Sequence, residues 1–94
     1  MSLENKTVIR FFIEMGAPEE IAREVSRISC KLIEGAEKGI TSSEIFQDLN
    51  ERYIATIGRD ALDLGIKHAY FEKNMGLYKL TSGGRSVFFH EGSS

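Results

Sequence analysis

Tyr70-Phe71-Glu72-Lys73-Asn74-Met75-Gly76-Leu77-Tyr78-Lys79-Leu80-Thr81 is the stretch that decides the fold of this 94-residue chain. Apolar and charged residues alternate on either side of Asn74-Met75-Gly76, a period of two that suits a half-buried antiparallel pair. Residues 70–73 and 77–80 are predicted as the two strands, and their aromatic side chains favour that conformation. Asn74 and Gly76 tolerate the positive φ angles that a tight hairpin turn needs. Thr81 stops the second strand. Ser82-Gly83-Gly84 then leads into Arg85-Ser86-Val87-Phe88-Phe89, which reads as either a short helix or a third strand.

Upstream of the hairpin the period is helical. A helix is predicted over residues 57–68, burying Ala61, Leu62, Ile66 and Ala69. Gly58 and Gly65 weaken it by about 1 kcal/mol each relative to alanine. Before it, Thr41-Ser42-Ser43-Glu44 has the spacing of a capping box, in which Thr41 and Glu44 satisfy each other's backbone N–H groups. Ile45, Phe46 and Leu49 supply the buried side of the short helix that follows, and Ile40 is expected to staple against Ile45 or to pair as a one-residue strand. A longer helix begins at Pro18, where a missing N–H costs nothing, with Glu19 and Glu20 against the positive end of its dipole. Ile21, Val25, Ile28 and Leu32 form its apolar stripe. It should end near Gly35, with Gly39 finishing the turn. The first helix spans residues 5–15, with Val8, Ile9, Phe12 and Ile13 at helical spacing and Gly16 as its C-terminal cap.

Ninety-four residues make one domain, expected over residues 4–90, with a single modest core. Met1-Ser2-Leu3 and residues 91–94 are read as cloning remnants or disordered termini and are set aside. Hydrophobic residues make up 41% and charged residues 28%, the balance of a soluble globular domain. Cys30 is the single cysteine, which excludes an intramolecular disulfide and suits a reducing cytoplasm. No apolar run approaches the roughly 20 residues of a membrane span, and the N-terminus lacks a secretion-signal pattern. Net charge is −2 and unevenly spread. Residues 1–50 hold six Lys/Arg against nine Asp/Glu, whereas residues 52–88 hold six basic residues against Asp60, Asp63 and Glu72 alone. An acidic chain of this kind can still carry a basic face.

The order helix, short capped helix, helix, β-hairpin resembles the winged helix-turn-helix superfamily over residues 22–89. The hairpin, continuing through Gly84-Arg85, is similar to the wing of many small microbial regulators. The fold class expected is therefore mainly α with a small β-hairpin (α+β), a winged helix with an extra N-terminal helix. That resemblance implies a DNA-binding transcriptional regulator in which helix 57–68 enters the major groove and wing 70–81 contacts the adjacent backbone or minor groove. The residues it implies for DNA contact are Thr56, Arg59, Asp63, Lys67, Lys73, Asn74, Lys79 and Arg85, with Asp60 also outward. Arg59, Lys67, Lys73 and Lys79 are expected to form one basic face. Two aspartates on the helix depart from a strong DNA binder, since Asp accepts only from cytosine. They favour a second expectation, a winged-helix module for protein contact without DNA affinity. A further resemblance links Gly16-Ala17-Pro18-Glu19-Glu20-Ile21-Ala22, Ile40-Thr41 and Ala69-Tyr70 to the helical part of the ATP-cone nucleotide-binding domain. The basic hairpin that normally opens that domain is absent here.

No set of residues suggests catalysis or a cofactor. Cys30 lies within a helix without a neighbouring Cys or His and is expected to act as a small hydrophobe. His68 and His90 lack metal-ligand spacing, and His68 is expected to cap its helix. Ser82-Gly83-Gly84-Arg85 lacks the longer pattern of a phosphate loop. Tyr53, Tyr70 and Tyr78 could stack on bases or be structural. The glutamates of the second helix read as a solvated face. No nucleophile, base and oxyanion site assemble, so no enzyme is expected, nor a metal or membrane partner. The first helix carries more apolar surface than one stripe needs, because Phe11 lies off its main face. A homodimer through that helix is the expectation.

Overall fold

The computed structural model describes residues 5–35 and 37–89. The two terminal segments set aside above and His90 lie outside the described residues. The chain is mainly helical with one small antiparallel sheet. Helix α1 (Lys6–Glu14) starts at Asn5, whose side-chain oxygen accepts from the N–H groups of Thr7 and Val8. The Asn5 N–H donates to the buried Ser26 hydroxyl at 2.6 Å, pinning the start of α1 to the middle of α2 (Glu19–Gly35). At its other end Gly16 donates to Ile13 and Ala17 to Phe12, the paired closing bonds of a helix stopped at glycine. Helix α2 buries Ala22, Val25, Ile28 and Leu32, while Ile21 is only half-buried.

The capping box forms: Glu44 N–H donates to Thr41 Oγ1 and Thr41 N–H to Glu44 Oε1, opening α3 (Ser42–Ile45). Ile40 pairs as a one-residue strand, exchanging backbone bonds of 2.9 and 2.7 Å with Tyr78. The next helix differs from its sequence-based boundaries. It begins at residue 51 as α4 (Glu51–Tyr53), passes through a π-helical segment (Ile54–Gly58), and continues as α5 (Arg59–Lys67). Asn50 is the true cap, its side chain accepting from Arg52 and Tyr53 N–H.

The two glycines expected to weaken this helix have a packing reason. A Cβ on Gly65 would overlap the Phe71 ring, and one on Gly58 would come within 2.8 Å of the Phe46 ring. Each lets an aromatic side chain rest directly on helix backbone.

Strands β1 (Phe71–Asn74) and β2 (Leu77–Leu80) pair in the register Phe71 to Leu80 and Asn74 to Leu77. Asn74 is thus a strand residue, and the turn consists of Met75 (φ +55) and Gly76 (φ +81). Thr81 leads into α6 (Ser82–Phe89), which resolves the tail as a helix. Its hydroxyl donates to the Ala69 carbonyl and accepts from Gly84 N–H.

The core lies where α1, α5 and β2 meet α2, centred on Phe12, Ile28, Leu32, Ile45 and Phe71. Three expectations about its edges are corrected. Ile66 and Ala69, expected to be buried, are exposed. Phe11 is not surplus surface: its ring packs against Phe12 and Tyr70, at centroid distances of 5.3 and 5.7 Å. Glu24 is not on a solvated face. It is 1% exposed, held by two bonds from Arg27 and by the Tyr53 hydroxyl at 2.6 Å.

Candidate functional site

Helix α5 presents Arg59, Asp63 and Lys67 at intervals of four, so the three stand on one exposed face. A groove of about 540 Å³ separates this face from the hairpin and from α3. Phe46, Ile54, Leu62 and Tyr78 form its apolar floor, and Arg59, Asp63, Lys73, Ser42 and Ser43 its polar rim. Lys73 reaches the rim because strand register sets it opposite Tyr78, and its ammonium stands 5.5 Å from the centre of that ring. The attraction between cation and ring face holds the charge at the groove mouth.

Of the residues implied for DNA contact, Arg59, Asp63 and Lys73 are therefore brought together. The others are not. Lys79 pairs across the sheet with Glu72, on the opposite face from Lys73, because side chains alternate along a strand. With Arg85 it borders a separate groove of about 480 Å³ that also contains Glu37 and Glu72. A single basic face uniting Arg59, Lys67, Lys73 and Lys79 does not form. Thr56 is exposed in the π-helical segment, its hydroxyl donating to the Arg52 carbonyl at 2.8 Å. Lys67 and Asn74 are exposed outside both grooves.

The polar cluster behind this face had no long-range signal in the sequence. Glu24 and Arg27 are three apart on α2, a spacing that marks an ion pair, but nothing linked them to Tyr53. Tyr53 ties α4 to α2 through its hydrogen bond to Glu24. Burial pushes its hydroxyl up to about 12, aided by the hydrogen bond to Glu24 and that carboxylate's charge. Burial, and then the charge of Glu34, push the Cys30 thiol up, which keeps it protonated and weakly nucleophilic. His68 closes α5 and stacks on Tyr70 within an aromatic cluster that includes Phe12. Among the described residues no group of three or more His, Cys, Asp or Glu gathers as a metal site. None of the described helices is long and apolar enough to cross a membrane.

Comparison with family models, with curated proteins and with solved structures gives no significant match to this chain.

Proposed function

We propose that this chain is a winged-helix DNA-binding domain, acting in transcriptional control and without catalytic activity. The observation that carries the proposal is the meeting of Arg59 from α5 and Lys73 from the hairpin at the rim of one groove. A helix and a hairpin offering cations to the same opening suit a duplex, whose phosphates line both edges of a groove. The succession α2, α3, α5 and hairpin supports it, as does the Ile40–Tyr78 bridge that seats the hairpin against the helices. In this reading α5 lies in the major groove with Arg59 aimed at phosphate or guanine, Asp63 accepts from cytosine, and Lys73 grips the neighbouring backbone. Lys79 and Arg85, placed among glutamates, add little to binding. A reducing cytoplasm suits Cys30, and the exposed α1 residues Ile13 and Met15 suit contact with a second copy.

Fluorescence anisotropy of a labelled random duplex, at roughly 50 and then 200 mM salt, tests the proposal. Binding in the micromolar range that weakens steeply at the higher salt is expected, reduced in Arg59→Ala and Lys73→Ala but little changed in Lys79→Ala. The exposed aspartates Asp60 and Asp63 favour a second reading, a module that contacts protein. Absence of binding at both salt concentrations would overturn the first reading and leave the second standing.

A further inference from the structure

The hairpin tip holds an apolar side chain where folding alone favours a polar one. Met75 is 93% exposed, far beyond Ile13, Met15, Ile66 and Leu77, which range from 37% to 43%. Its backbone lies in the left-handed region at φ +55. The pairing of Asn74 with Leu77 makes Met75 and Gly76 the whole turn, and both have positive φ. A two-residue turn of that kind favours Asn-Gly, because Asn tolerates left-handed backbone better than a long side chain does. Methionine here is unfavourable twice over, in backbone conformation and in hydration, and it buries nothing in return. Strain held at an exposed tip is a reason to look for a ligand.

We propose that Met75 is a wedge that enters the DNA minor groove and inserts between two base pairs, unstacking them and bending the duplex. The proposal rests on the DNA-binding reading and adds how the hairpin takes part in it. The tip is narrow, two residues wide, as a groove about 6 Å across requires. Methionine is unbranched and polarisable, so it can slide between bases and adapt to them. Lys73, two residues back and held against Tyr78, is placed to grip a phosphate while the tip is inserted. Leu77, 38% exposed and next to the turn, can widen the apolar contact. A thioether reads no base edge, so selectivity comes from the ease of unstacking. Pyrimidine–purine steps such as TA open readily, whereas A-tracts are stiff.

The test uses two duplexes of about 20 base pairs, one with a central TA step and one with an A-tract. Each carries 2-aminopurine at the centre and a donor–acceptor dye pair at its ends. The full chain should bind the TA duplex about tenfold more tightly, raise 2-aminopurine fluorescence and shorten the end-to-end distance. Met75→Asn should lose the fluorescence rise, the bend and the tenfold preference while keeping salt-dependent binding. Its melting temperature should rise by about 4 °C or more, since the turn gains the Asn-Gly pair. Met75→Leu should keep the unstacking. Binding without unstacking by the full chain, or unstacking that survives Met75→Asn, would overturn the wedge and leave the DNA-binding reading intact. Failure to bind either duplex would overturn both.

Discussion

Gly65 and Gly83 are both helical glycines, yet the same substitution should act on them in opposite directions. A methyl group on Gly83 meets only ordinary contacts, Thr81 Oγ1 at 3.7 Å and the Ala69 carbonyl at 3.8 Å. Gly83→Ala should therefore stabilise by about 0.4–1 kcal/mol, through loss of freedom in the unfolded chain. At Gly65 the same methyl falls on the Phe71 ring, which is 1% exposed and enclosed by the core. Overpacking outweighs the propensity gain there, and Gly65→Ala should destabilise by about 1–3 kcal/mol. Urea unfolding of the two variants decides it; a stable Gly65→Ala would mean that Phe71 moves aside freely. Tyr53 gives a second prediction at this scale. Its hydroxyl titrates at about 12 in the folded protein against an ordinary value of 10.0. A pKa raised by folding contributes stability that is complete below pH 10 and is lost as pH climbs toward 12. The urea midpoint of the native protein should fall through that window more steeply than that of Tyr53→Phe. Parallel curves would show that folding does not raise the titration of this hydroxyl.

The element that carries Arg59 was the one least legible from sequence. Its start at residue 51 depends on Asn50, which accepts from Arg52 N–H at 2.8 Å and from Tyr53 N–H at 3.4 Å. Asn50→Ala should cost about 1 kcal/mol, and amide exchange should quicken first in residues 51–53, with α2 unaffected. Uniformly faster exchange would instead mean that α4 unfolds only with the whole molecule. Asn50 stands ahead of the helix predicted over 57–68, in which Gly58 counts only as a weakening residue. The helix crosses Gly58 by a π-helical turn, and the Phe46 ring occupies the space a side chain would fill. Contacts between residues 46 and 58, or 65 and 71, leave no local pattern. The elements that were legible are those whose causes are local. Thr41 and Glu44 cap each other within one turn, α2 repeats its apolar stripe, and the strands alternate. The hairpin lies within one residue of its sequence-based position, but of the predicted turn Asn74-Met75-Gly76 the positive φ falls on Met75 and Gly76, not on Asn74, a better left-handed residue than Met75. The candidate site was legible in composition and not in grouping. Arg59 and Lys73 meet, while Lys79 points away because residues 73 and 79 belong to opposite faces of the sheet.

At the scale of the whole molecule, the question is what α1 contributes beyond the core. Phe11 and Phe12 join it to Tyr70 at the base of the hairpin, both with ring centres 5.7 Å away. Its inner side is thus fully used. On its outer side Ile13 and Met15 remain 42% and 43% exposed, and Ile13 lines a groove of about 310 Å³ with Ile9, Lys6, Arg10 and Arg23. The neighbouring surface is acidic, with Glu14 at the end of α1 and Glu19 and Glu20 at the start of α2 all exposed. We propose that two copies related by a two-fold axis bring their Ile13 side chains together, with Lys6 and Arg10 of one facing Glu14 and Glu20 of the other, Arg23 and Glu19 being already paired within each chain at 2.8 Å. Such an interface would be isologous, the same patch serving on both copies. Sedimentation equilibrium should therefore give twice the 10.5 kDa of one chain at tens of micromolar. Ile13→Glu places a charge at the centre of that contact and should yield a folded monomer with an unchanged circular dichroism spectrum. A native protein that sediments as a monomer throughout would assign α1 to the core alone, and DNA recognition would then rest on a single copy of α5 and its hairpin.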